Sequence, residues 1–180
     1  MNDFFERIEV LAQQRAPIVE ATNALVAASR RFQHPVIWVR EEFAVDLHDA
    51  PAEFRAKHIS VRIAGTAGCQ WLPELDRDPE ELEIIKKRYS AFFGTRLDAV
   101  LAEIGCTRLI LAGINTHACI RTTAIDAYER DYEVLIADDC TTSHDAEHHR
   151  ITKRYLDGKI ARFLSNTELD QWFSGAAGLA

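Results

Sequence analysis

An α/β fold, a parallel sheet held between two helical layers, is predicted by three observations. Short apolar segments alternate with amphipathic ones along the whole chain, the order that builds such layers. The short segments are unbroken apolar runs, as in strands covered on both faces. Charged and reactive side chains (Glu41, Glu42, Lys86 and Cys119) follow directly on those runs, at the carboxyl ends of strands, where sites gather in sheets of this kind. The 180 residues suit one domain, residues 1–180, with a sizeable core. No repeat, linker or low-complexity segment divides it.

Taken in order, residues 17–31 carry a stripe of Ile18, Ala21, Leu25 and Ala28 at helical spacing and are expected as a helix. Pro35 to Val39 reads as a buried strand. Residues 41–80, with Pro51, Gly65, Gly68 and Pro73, read as loop with room for one short helix. Leu82 to Ile85 is a strand ending at Lys86-Lys87. Gly94 to Gly105 holds a helix with Gly105 as its C-cap. Leu109 to Ile114 is a strand and Cys119 to Arg130 a helix. Val134 to Ala137 is a strand, residues 146–155 a helix, Ala161 to Leu164 a strand and Thr167 to Phe173 a closing helix.

The bulk numbers exclude several roles. A formal net charge of −7 argues against nucleic acid or an anionic membrane as partner. Cys69, Cys106, Cys119 and Cys140 form no C-x-x-C pair, and a chain with this much core has no need of a disulfide frame, so they read as reduced thiols of a cytoplasmic protein. The first residues show neither a basic nor an apolar leader region, and no apolar stretch approaches membrane-spanning length.

Cys119 is placed where a strand runs into a helix. Free N–H groups and the dipole at a helix start stabilise a thiolate, lower a thiol's pKa and can hold an oxyanion. The alternative is a small buried hydrophobe closing a joint. Lys86, at the end of a buried strand, is costly there without a partner; its alternative is a solvated lysine beside Lys87 and Arg88.

These residues resemble a known family. Lys86-Lys87-Arg88-Tyr89-Ser90-Ala91-Phe92-Phe93-Gly94-Thr95-x-Leu97 is similar to the K-x-R-Y-S-A-F-x-G-T-x-L stretch of the isochorismatase-like cysteine hydrolases. Gly113 to Ala127, G-I-N-T-H-A-C-I-R-T-T-A-I-D-A, resembles their G-[VI]-x-T-x-x-C-V-x-x-T-A-x-D-A signature, and Asn2-Asp3-Phe4 their opening N-D-F. The resemblance implies a three-layer α/β/α sandwich of Rossmann-like order and an Asp–Lys–Cys triad. Cys119 would be the nucleophile, with Lys86 holding the thiolate and an aspartate moving protons. It also implies a cis bond between Ile114 and Asn115, with the amides of Asn115 and Cys119 as oxyanion hole. A small-molecule substrate, no cofactor and a homo-oligomeric state go with it.

Two departures from the family are visible. Its aspartate ends a first, central strand a few residues before N-D-F, so both are expected upstream of Met1. Asp3 matches a position that ties down a loop and is not assigned to the triad. The D-x-H metal pair of the nicotinamidases is also replaced, by Glu41-Glu42-Phe43, and their further histidine by Val61-Arg62; Asp46 and His48 are out of register. No metal is therefore expected. His144, His148 and His149 read as a polar helix start capped by Asp145; His144 and His148, four apart, lack a third placed ligand for zinc.

The expected function is hydrolysis of a C–N bond in a small amide, carbamoyl or ureido compound through a thioacyl-enzyme. Phe4, Trp38, Tyr89, Phe92 and Arg121 are the pocket candidates, with Arg121 suited to a carboxylate or equally to solvent. The alternatives are a binding or scaffold protein with an incomplete triad and an isochorismatase-type ether hydrolase, against which Cys119 argues.

Overall fold

The computed structural model describes residues 2–175. A short helix, α1 (Asn2–Arg7), precedes a long one, α2 (Glu9–Arg31). Then come β1 (Ile37–Glu41), α3 (Ala52–Lys57), β2 (Leu82–Lys86), α4 (Leu97–Glu103) and β3 (Arg108–Ile114). A π-helical turn (Thr116–Ile120) leads into α5 (Arg121–Tyr128), followed by β4 (Glu133–Thr142), α6 (Ala146–Leu156), β5 (Arg162–Leu164) and α7 (Asn166–Phe173).

Helix α2 begins at Glu9 rather than at Pro17, which lies inside it. The reason is packing: Leu11, about two turns upstream of Ile18, is fully buried and extends the apolar stripe. That burial outweighs the hydrogen bond Pro17 cannot make. The helix before β3 starts at Leu97 rather than Gly94, because Gly94 has φ +65° and turns the chain instead. Strand β4 runs on to Thr142, past the Asp138-Asp139 pair expected to end it.

All strand pairs are parallel, but they form two sheets, β1–β2 and β3–β4–β5. Side chains of β4 alternate between two layers. Val134 and Ile136 pack with Leu101 of α4, Ala124 and Ala127 of α5 and Leu156 of α6. Leu135 and Ala137 pack with Leu25 of α2 and Leu169 of α7. Ile84 of β2 joins the first of these cores, so both sheets share one helical layer. The chain is thus a three-layer α/β/α sandwich. No helix among the described residues is long and apolar enough to cross a membrane.

Between β1 and β3 lies a space of about 550 Å³. It is lined by consecutive residues of both strands, 36–39 and 107–114. Successive strand side chains point to opposite faces, so a space bordered by every residue lies beside the strand edges and not over a face. Ile18, Val19 and Leu25 of α2 close it on one side, Leu101 of α4 and Ile120 on the other.

Candidate active site

The carboxyl ends of β1, β2 and β3 converge on one point. Glu41 and Lys86 are register partners in the β1–β2 ladder, and β3 ends at Ile114. The Ile114–Asn115 peptide is cis, and the π-helical turn that follows carries Cys119 at its fourth position. Such turns are rare and recur at functional sites. The thiol is thus one turn inside the helical segment, slightly further in than the helix start expected from sequence.

Lys86 is buried, and the three protons of its ammonium all have acceptors. Nζ donates to the carbonyls of Arg88 (2.7 Å) and Tyr89 (3.1 Å) and to Sγ of Cys119 (3.3 Å). Oε1 of Glu41 lies 3.7 Å from the same nitrogen. Lys87, on the opposite side of the strand, pairs with Asp49 instead.

Sequence reasoning placed Glu41 at this edge of the sheet without a role, and it did not bring Arg62 into the group. Glu41 is buried, and its Oε2 forms an ion pair with Nε of the equally buried Arg62 at 2.6 Å. The signal was present in a weak form: Glu41 ends a buried strand opposite Lys86, and an acid there needs a cation. Arg62 packs over the rings of Phe4, Phe43 and Phe54.

The electrostatics of Cys119 run against the expectation of a lowered pKa. Burial pushes the thiol up; the ammonium of Lys86 pulls it down, and the carboxylate of Glu41 raises it again. The expectation counted the helix start and left out desolvation, which disfavours the charged form.

The flanking motifs hold one another. Ser90 donates to Asp126 at 2.5 Å, and the amide of Ala91 to Oγ1 of Thr123 at 3.1 Å. Asp3 accepts from the amide of Arg62 at 2.5 Å and pairs with Arg7. A Cβ on Gly68 would lie 2.4 Å from Oδ2 of Asp3, so only glycine lets that loop close on the carboxylate. Asp3 therefore braces the loop of residues 62–68.

The pocket candidates divide. Phe4 and Trp38 line the space beside Lys86 and Cys119. Tyr89 is exposed, and the charges of Cys119 and Glu41, after burial, raise its pKa. Phe92 is elsewhere: it is buried in the core and stacks on Tyr132. Arg121 is elsewhere too, its guanidinium over the ring of Tyr155. Phe92 lies in the loop between β2 and α4 and Arg121 opens α5, and neither lines the space beside Cys119.

Asn115 accepts from the amide of His144 at 3.2 Å. His117 faces Ser143 through Nδ1 at 2.8 Å, and its ring lies against those of His144 and His148. The amide of His148 donates to the capping carboxylate of Asp145. Asp46 and His48 pair with each other on the surface. Among the described residues, no group of three or more His, Cys, Asp or Glu side chains is arranged to hold a metal ion.

Residues 1–168 match the family described as "Isochorismatase domain". An Arabidopsis thaliana protein named a probable inactive nicotinamidase is 33% identical over 165 residues, 88% of this chain and 83% of that one. A ureidoacrylate amidohydrolase of Methylorubrum extorquens is 27% identical over 141 residues, 69% of this chain and 57% of that one. A cysteine hydrolase of Pseudomonas syringae superposes with a TM-score of 0.84 at 22% identity, covering 90% of this chain and 82% of the other, a likeness of fold.

Proposed function

The chain belongs to the isochorismatase family of hydrolases, and on that footing we propose that it hydrolyses a C–N bond of a small amide, carbamoyl or ureido compound through Cys119. The observation that carries this reading is the contact of Lys86 Nζ with Cys119 Sγ at 3.3 Å, in a site where the ammonium is fixed by two backbone carbonyls.

In this reaction Cys119 loses its proton and Sγ attacks the substrate carbonyl. Lys86 holds the thiolate by charge. The oxygen that gains the electron pair is received by the amides of Asn115 and Cys119. The C–N bond then breaks, and the leaving nitrogen takes a proton and departs as ammonia or an amine. Water attacks the thioester, the acid leaves and the proton returns to sulfur. The proton that leaves Cys119 is the one the leaving nitrogen gains, and the resemblance assigns its transfer to an aspartate. Both oxygens of Glu41 are engaged, one by Arg62 and one by Lys86, so Glu41 serves as a positioning residue that holds the ammonium in place.

A second reading has one observation in its favour. Burial pushes the pKa of the Cys119 thiol up, as suits a member of the fold that binds without turnover. A hydrolase screen over amides, carbamoyl and ureido compounds separates the two. Release of ammonia or amine that disappears in Cys119→Ala and in Lys86→Ala supports the enzyme. Ligand binding with no product at any pH from 6 to 10 would overturn it.

A further inference from the structure

We propose that Arg62 binds a carboxylate of the substrate, so that the compound cleaved at Cys119 is an amide, carbamoyl or ureido acid rather than a neutral amide. This assignment rests on the proposed hydrolase reading and names the substrate class for it.

The first observation is a buried cation short of hydrogen-bond partners. The side chain of Arg62 is 9% exposed. A guanidinium carries five N–H donors and no acceptor, and buried donors of a charged group are costly unless they are hydrogen-bonded. Nε lies 2.6 Å from Oε2 of Glu41, yet it is buried without a hydrogen bond, so the pair is held by charge and the N–H is not aimed at the oxygen. Neither Nη group forms a hydrogen bond with a described residue. Glu41 takes the Nε side, which leaves the two Nη groups at the end of the fork. Parallel N–H groups at that spacing match the two oxygens of a carboxylate.

The second observation is how firmly the fork is held. The backbone of Arg62 has φ +53°, a left-handed conformation that residues other than glycine rarely adopt. It persists where the surroundings over-determine it, ligand clamps included. The amide of Arg62 donates to Asp3 at 2.5 Å. Cζ lies over the rings of Phe4, Phe43 and Phe54 at 4.6, 5.6 and 5.6 Å. These rings fix the guanidinium and offer its N–H groups no oxygen. The fork is thus ordered before a ligand arrives, which lowers the cost of binding one.

The third observation is the place. Glu41 stands between Arg62, at 2.6 Å, and Lys86, at 3.7 Å, and Lys86 touches Sγ of Cys119 at 3.3 Å. Phe4, under the guanidinium, lines the same space as Lys86 and Cys119. Burial raises the Cys119 thiol and the Tyr89 phenol alike, and the charge of Arg62 pulls both down, so the guanidinium is within electrostatic reach of the nucleophile. A small acid meets Sγ with its carbonyl and the fork with its carboxylate. The sequence offered Arg121 for this task; Arg121 lies over Tyr155, and Arg62 takes its place.

The test uses matched pairs on the full chain: straight-chain acids that end in an amide, carbamoyl or ureido group, beside the alcohols of equal length, with ammonia release as the readout. The parent favours the acid in kcat/KM by about ten- to hundredfold, the worth of one charge-assisted bidentate contact. Arg62→Gln removes charge and fork together and brings that ratio to within about threefold of one. Arg62→Lys keeps a charge opposite Glu41, so it remains folded even where the glutamine variant does not. It lacks the fork and loses about tenfold of the ratio. Equal turnover of acid and alcohol by the parent, or a ratio unchanged in Arg62→Lys, overturns the assignment and leaves the hydrolase reading standing. No ammonia from any pair overturns the hydrolase reading instead. Glutarate then tests Arg62 by itself in calorimetry. Binding to the parent that weakens about tenfold in Arg62→Lys keeps the carboxylate site, and no binding overturns it.

Discussion

Replacing Glu41 with glutamine tests the site through two readouts that move in opposite senses. The side chains of Glu41, Arg62 and Lys86 are 8%, 9% and 7% exposed. Neutralising the anion that pairs with both buried cations leaves the two charges uncompensated, which costs about 3–5 kcal/mol. In a domain of 150–250 residues each kcal/mol moves Tm by about 2–4 °C. The expected fall is therefore about 6–20 °C, read by calorimetry at pH 7. The low end is favoured if the amide oxygen keeps a contact with Arg62. The thiol moves the other way. Glu41 raises the Cys119 pKa, and its charge is gone in Glu41→Gln, so iodoacetamide labels Cys119 faster at equal exposure. In Lys86→Met the attraction is removed instead and labelling slows. A Tm within 2 °C of the parent, or slower labelling in Glu41→Gln, would refute the reasoning, because either result requires Glu41 to be solvated and remote from the sulfur.

Lys86→Ala abolishes turnover while Lys87→Ala, whose ammonium faces Asp49, changes kcat less than about threefold; steady-state kinetics on a substrate from the screen decide this. Leu156→Ala, at a fully buried position, lowers stability by about 2–5 kcal/mol in urea unfolding with the m-value unchanged. Ser165→Ala removes the capping box of α7 and costs about 1 kcal/mol by the same measurement. His117 and His149 both have pKa values lowered by burial. The unfolded chain therefore binds more protons than the folded one below about pH 6.5. Stability is full above that pH and falls as pH drops toward the lower folded values; a Tm that rises on acidification from pH 7 to pH 5.5 would contradict the sign.

What could be read from the sequence depended on the range of the signal. The helices and strands that carry Ile84, Leu101, Ala124 and Ile136 have local periodicity, and they lie near their expected positions. The motifs around Lys86 and Cys119 sit on strand ends, and parallel topology brings strand ends together without further information. The start of α2 was hidden by Pro17, because proline favours a helix start and only the tertiary burial of Leu11 overrides it. Arg62 lies in the irregular stretch 41–80, where no period says which side chain turns inward. The placing of Phe92 against Tyr132 and of Arg121 over Tyr155 is set by tertiary packing, a long-range fact. The thiol's raised pKa is likewise long-range, since desolvation comes from everything that surrounds the sulfur.

The space between β1 and β3 also carries its own optical label. The chain has three tryptophans, and Trp38, Trp71 and Trp172 all border that space. Trp38 and Trp71 meet edge to face at 5.3 Å, and their indole N–H groups donate to Glu81 and Glu83. Trp172 stands at the far end beside His34. Emission from the folded protein therefore reports on one region of the molecule rather than on an average over its surface. A blue shift means that water has left the gap between the sheets, and quenching by iodide measures how open it is, with no dye or substitution needed.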